Sequence, residues 1–223
     1  VTISPERDDI EHDGDRPERA DAARNRELIL ATARRLFAER GISVTLNDIA
    51  HEAGVGVGTV YRKFEDKDAL VDALIAAKFS ALIGMADRAL AEPSPREALR
   101  GYLLGTLELR ASDRALAEVI VRARRATPAI VHERNRLNEA VGILVDRARE
   151  AGVLRDGFSA QDIPIVSLMV GVVADRTREC APDAWRRYAQ MVVDGICPPE
   201  HVGPLCGRVL DERGIELAMH PTA

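Results

Sequence analysis

Aromatic side chains make up only 4% of this 223-residue chain, and lysine is rarer still: Lys63, Lys67 and Lys78 are the only three among 31 basic residues. So few rings argue against a large aromatic-walled cavity for bulky ligands. The cysteines are Cys180, Cys197 and Cys206, an odd number without a CxxC pair, which points to a reduced, cytoplasmic protein and to ordinary thiols, a thiol sensor being the alternative. Five scattered histidines show no metal spacing, so no structural metal and no cofactor are expected. The N-terminus has no signal-peptide core, and no membrane-spanning segment is expected, so a membrane partner is not. Catalytic motifs are missing as well, with no Gly-rich phosphate loop, GxSxG, HExxH or framed carboxylate pair. The chain is not expected to be an enzyme.

What is present is helical periodicity from end to end, with nothing suggesting strands, and enough length for two units. The fold class expected is all-α, a small N-terminal three-helix domain followed by a larger helical one. Residues 1–19 carry seven acidic and three basic residues, two prolines and no apolar period. They read as a disordered tail that touches a partner only through Arg16 or Arg19. A first helix from near Asp21 to Arg40 buries Ile29, Ala33, Leu36 and Phe37.

Residues 45–67, TLNDIAHEAGVGVGTVYRKFEDK, are the most informative stretch. Thr45 is an N-cap with Asp48 three positions on, and Ile49, Ala50 and Ala53 recur at helical spacing. Gly54 supplies the left-handed turn and Val55 drops into the core behind it. A second helix begins near Gly56 or Val57. Val60 and Phe64 face inward, leaving Val57, Gly58, Thr59, Tyr61, Arg62 and Lys63 outside. Two helices meeting at glycine, the second polar and basic, form the helix-turn-helix pattern that reads DNA.

The match extends on both sides. ILATARRLFAERG at 29–41, TLNDIAHEAGV, GTVYRKF and KDALVDAL at 67–74 resemble, in order, the first four helices of the TetR family of transcriptional repressors. That resemblance implies roles. Thr59, Tyr61 and Lys67 match phosphate contacts, with Thr45 a further one, and Val57, Gly58, Arg62 and Lys63 match positions facing the major groove. Arg62 is the expected base reader, since its planar fork binds guanine O6 and N7 together, whereas Lys63 is a point charge suited to phosphate. Position 56, commonly serine in the family, is glycine here, which removes one hydroxyl at the start of the recognition helix.

Charge alone does not announce this partner. The net charge is -5, and from Ala20 to Asp68 eight basic residues face eight acidic ones, so the cations must be concentrated on the DNA face. The domains expected are a tail at 1–19, the DNA-binding domain at 20–68, an effector and dimerisation domain at 69–197, and a C-terminal extension at 198–223.

Helix four is capped by Asp66, and Leu70, Leu74, Ala77, Ala81 and Met85 continue its inward face into the second domain. Further helices are expected over about 96–110, after Asp113, from Pro128 to Ala151 with Ile130, Leu137, Val141, Leu144 and Ala148 inward, from Ala160 to Arg178 with Ile163, Val166, Met169, Val170 and Val173 inward, and a last one from Pro182. Leu205, Val209 and Leu210 could form a short packed turn after it.

The resemblance implies a small-molecule effector in this domain. Tyr102, Leu103, Thr106, Leu107, Val166 and Met169 are the candidate contacts, each of which would serve equally as core. It also implies a homodimer. Val170, Gly171, Trp185, Tyr188, Val192 and Ile196 on the last two helices are the candidate interface, with Gly171 permitting close helix approach; the alternative is that both stripes face the chain's own core. The function expected is a ligand-responsive repressor that binds a palindromic, double-stranded operator as a dimer. The rivals are an enzyme and a helical protein-interaction adaptor with a vestigial DNA domain.

Overall fold

The computed structural model describes residues 15–112, 127–201 and 203–219, with the backbone alone at 15–23 and 42. Within them lie nine α-helices and one 3-10 turn, and no strand: α1 Asp15–Arg40, the turn Gly41–Ser43, α2 Leu46–Ala53, α3 Val57–Lys63, α4 Lys67–Leu90, α5 Pro95–Ser112, α6 Pro128–Glu150, α7 Asp162–Thr177, α8 Trp185–Ile196 and α9 Glu212–Met219. The helix expected after Asp113, and residues 1–14 of the expected tail, lie outside the described residues. Residues 15–19 are helical rather than tail, so α1 starts six residues before the expected Asp21. Pro17 does not stop it, because a proline in a helix's first turn lacks only an amide that has no partner there.

Two apolar cores are built. The head core takes Ile29, Ala33, Leu36 and Phe37 from α1, Ile49 and Ala50 from α2, Val60 and Phe64 around α3, and Leu70 to Ile75 from α4. The body core joins α5, α6, α7 and α8 through residues such as Leu99, Leu103, Leu144, Val170 and Val193. The two meet at more than one element, since Ile130 in the first turn of α6 belongs to the head core and Phe79 of α4 packs against it.

Helix α4 is the one described helix long and apolar enough to cross a membrane, but its apolar residues face neighbours, α1 at its start and α5 and α6 along the rest. Its inward stripe differs from expectation. Ala81 is exposed, and Ile75, Ile83 and Ala86 are buried instead. Ala81 lies three turns from Leu70 on the same face, but by then α4 has left the head and its packing partner has changed.

Arginine holds the body together. Arg147 of α6 donates to the carbonyls of Leu90 at 2.8 Å and Glu92 at 3.0 Å, closing the end of α4. Arg100 of α5 donates to Asp194 at 2.7 Å and to the Cys197 carbonyl at 2.5 Å, fastening α5 to the end of α8. A guanidinium meets two acceptors in fixed directions, which an ammonium does not, and both arginines use that geometry.

Two differences fall at the C-terminal end. Helix α8 starts at Trp185 rather than Pro182, and it is not the last. Helix α9 follows, opened by Asp211, whose carboxylate accepts from the Gly214 amide at 2.7 Å. It packs on α7 through Gly214 and Ala218. Small residues on a packed face leave no apolar stripe to notice, and Val209, expected inward, is 65% exposed.

Candidate nucleic-acid interface and body cavity

The recognition surface is assembled by local signals that the chain carries in order. Thr45 and Asp48 form a reciprocal capping box at the start of α2: the Asp48 amide donates to the Thr45 hydroxyl at 3.2 Å, while Asp48 Oδ2 accepts from the Thr45 amide at 2.8 Å and hydroxyl at 2.7 Å. Those donations, the hydroxyl's first, hold the Asp48 carboxyl below its ordinary pKa. Gly54 takes φ +66°, its amide donates to His51, and the Val55 amide reaches back to the Ala50 carbonyl at 3.0 Å. This six-to-one closure ends α2 in the conformation that glycine adopts without strain. Gly56 then caps α3 with backbone only, its carbonyl accepting from Thr59 at 2.8 Å. Asp66 caps α4 through a 2.7 Å bond from the Ala69 amide.

Val60 and Phe64 pin α3 to the head core, and this sets what faces out. Val57, Gly58, Tyr61 and Arg62 are exposed, and Thr59 and Lys63 are half-buried beside them. At 100° per residue, positions 57, 58, 61 and 62 share one face opposite Val60. Lys67, half-buried, begins α4 with its ammonium 5.7 Å from the centre of the Phe37 ring. Thr45 stands at the start of α2 with its hydroxyl engaged by Asp48. Sequence reasoning missed Arg26, an exposed α1 residue whose guanidinium lies 5.5 Å from the Phe64 ring centre; nothing in the periodicity of α1 singles it out. Arg35, by contrast, is tied up on the surface of the head, bridging Glu39 at 3.2 Å and Glu52 at 2.5 Å, and its hydrogen bond holds the Glu52 carboxyl below the usual range.

A cavity of about 460 Å³ opens between α4, α5, α6 and α7. Its apolar walls include Phe79, Leu82, Leu137, Val141 and Ile163, and its polar groups include Tyr102, Asn138 and Ser167. Of the expected contacts, Tyr102 and Thr106 line it. The Thr106 hydroxyl is directed to the Tyr102 carbonyl at 2.8 Å, and burial pushes the Tyr102 phenol up to about 12. Leu103 and Leu107 are corrected to body core at 1% exposure each. Val166 packs against that core, and Met169 is 55% exposed on the outer side of α7. Leu103 and Leu107 stand about 100° round α5 from Tyr102 and Thr106, which turns them into the core and away from the cavity. Missed were Lys78, Arg110 and Arg134, whose charge argued against a place in an apolar wall.

The expected dimer residues are corrected in the same way. Val170, Gly171, Trp185 and Ile196 are buried within the chain and face its own core, with Val192 half-buried against it, while Tyr188 is half-buried. A methyl at Gly171 would stand 2.5 Å from the Arg110 guanidinium carbon, so that glycine makes room for an arginine of α5. Similarly, Gly105 admits Met85. Apolar residues left outside include Ile165, Leu168, Met169 and Val172 on α7, each 48–58% exposed, and Met191 on α8, besides Leu104, Ile143 and others on α5, α6 and the C-terminal segment.

Comparison with known proteins agrees with this geometry. Residues 29–74 match the family described as bacterial regulatory proteins, tetR family, and residues 94–198 match the C-terminal domain of SbtR-like transcriptional regulators. The HTH-type transcriptional repressor BepR of Brucella suis is 29% identical over 208 residues, 91% of this chain and 88% of BepR. The crystal structure of a TetR regulatory protein from Mycobacterium vanbaalenii superposes with a TM-score of 0.60 at 30% identity, covering 81% of this chain and 99% of that one. TetR regulator SCO0520 of Streptomyces coelicolor superposes at 0.57 with 29% identity, over 78% and 98% of the two chains. With its exposed α3 face, its capped helix pair and these relatives, the chain belongs to the TetR family and is a DNA-binding transcriptional regulator.

Proposed function

We propose that this regulator is a ligand-responsive repressor that acts in the cytoplasm and binds a two-fold operator as a homodimer. The observation that carries the proposal is Phe79. It lines the body cavity and also packs against the head core, so a molecule filling the cavity presses on α4, the helix whose first turns share the head core with Val60 of α3. Helix α6 supplies a second link, since Ile130 in its first turn belongs to the head core and Leu137 and Val141 further along it line the cavity. A ligand shifts operator affinity only through different affinity for the DNA-competent and DNA-incompetent shapes. Its contact with α4 provides that difference.

On the DNA, Val57, Gly58, Arg62 and Lys63 enter the major groove, Arg62 reading a base, while Thr59, Tyr61 and Lys67 hold phosphates, with Arg26 beside them. Thr45 contributes through its position at the start of α2, its hydroxyl being engaged. The exposed α7 face of Ile165, Met169 and Val172 supports a dimer in which two α3 helices meet half-sites about 34–36 Å apart. BepR, named as a repressor, supports the sign of regulation.

The test is binding to the chain's own upstream DNA as salt is raised. A steep, log-linear loss of affinity is expected, with a slope of roughly -0.9 per phosphate neutralised. Salt-independent binding, or a monomer on sizing at micromolar concentration with operator binding intact, would refute the proposal.

A further inference from the structure

Three cations, Lys78, Arg110 and Arg134, line the body cavity, and among the described residues no carboxylate does. Arg110 is the unusual one. Its side chain is only 11% exposed, and its Nη1 is buried with no hydrogen-bond partner among the described residues. Nη2 donates to Asp175 at 3.1 Å, but that carboxylate also accepts from Arg178 at 3.2 Å. One negative charge therefore answers two guanidinium groups. A buried ionic donor without a partner is costly, yet the chain makes room for it, because Gly171 leaves the space that any side chain would fill against the guanidinium.

We infer that the cavity takes an anionic amphiphile, whose carboxylate or phosphate head meets Arg110 Nη1 and whose apolar body lies along Phe79 and Leu82. Resting on the ligand-responsive reading above, the inference names the ligand's chemistry. The volume of about 460 Å³ sets the size at roughly 15 non-hydrogen atoms, if each takes about the 30 Å³ of a water molecule. A charge-assisted hydrogen bond in a dry site is short and strong, and it supplies the counter-charge that Asp175 shares out. A cationic head group has no acceptor to offer Arg110 Nη1 and is excluded.

Calorimetric titration of the full chain with decanoate, decyl phosphate, decan-1-ol and decylamine tests this. Decanoate or decyl phosphate is expected to bind at least about tenfold more tightly than decan-1-ol, as for loss of a charged hydrogen bond, and decylamine not detectably. Arg110→Met should bring the anions down to the level of decan-1-ol, with Arg110→Lys restoring part of the preference. Gly171→Ala keeps the charge but displaces the guanidinium, so it should narrow the preference several-fold in a folded protein and guards against an Arg110→Met chain that fails to fold. Equal binding of decanoate and decan-1-ol, anion affinity indifferent to both substitutions, or binding by none of the four overturns the inference. Operator release is read separately in a gel-shift assay. Arg110-dependent binding without release leaves the inference standing and refutes ligand response, whereas release by decan-1-ol with no anion preference does the reverse.

Discussion

The head and the body of this regulator bury similar aliphatic side chains but use them differently. In the head, short helices close over Ile29, Leu36, Ile49 and Val60, all at 0% exposure, and every helix junction is tied by a cap, a glycine or a side-chain bond. The body is looser. It keeps a cavity of about 460 Å³ and an apolar α7 face open to its surroundings. A surface that must meet DNA in one geometry is best held rigid, while a domain that must respond to a ligand needs incompletely used contacts that binding can complete.

That contrast can be broken most severely at the head core. Ile49→Ala should destabilise the chain by about 2–5 kcal/mol, because the closed site cannot collapse around the lost atoms; denaturant titration checks it. In the body, Met169→Glu with Val172→Glu should leave melting nearly unchanged, both residues being exposed, yet lower operator affinity by about 100-fold through loss of the second half-site. Sizing and gel shift together would show it. Phe79→Ala should preserve operator binding while reducing the ligand's effect on it by about 1 kcal/mol or more, within the usual range of coupling energies, measured as the ratio of operator affinities with and without ligand.

On the head surface two neighbouring cations should differ in kind. Arg62→Ala should cost about 1–3 kcal/mol and relax preference at one operator position, whereas Lys67→Ala should weaken all sequences alike and reduce the salt slope by about 1. The smallest effect is expected at Gly56. Its φ of -62° suits any residue, and an added Cβ would meet only the Thr59 hydroxyl at 3.6 Å, so Gly56→Ser should stabilise α3 by a few tenths of a kcal/mol, visible as slowed amide exchange.

The head was legible because its signals are local. Thr45 and Asp48 are three residues apart, Gly54 closes α2 on Ala50, and Asp66 caps α4 on Ala69, so each capping contact that bounds the DNA-facing helices lies within about a turn of chain. Arg26 escaped because its place beside Phe64 depends on how α1 packs. In the body, helix positions were legible but the direction of each face was not. Trp185, Val193 and Ile196 form a stripe that fits a partner or the chain's own core equally well, and only the placement of α5 beside α8 turns it inward. Met169 and Val170 are adjacent in sequence and opposite in exposure. The short α9 was missed because its packed face is Gly214 and Ala218, which carry no hydrophobic signal.

By itself the sequence determined the all-helical class, the order of helices and the capped helix pair with Val60 inward and Tyr61 and Arg62 outward, because periodicity and capping act between residues a few positions apart. Tertiary structure alone decided that Gly171 serves Arg110 rather than a partner helix, that Phe79 joins cavity to head, and which side of α7 stays open. Those depend on contacts between residues tens of positions apart, and an apolar or basic residue carries the same letter whether it meets core, ligand or water.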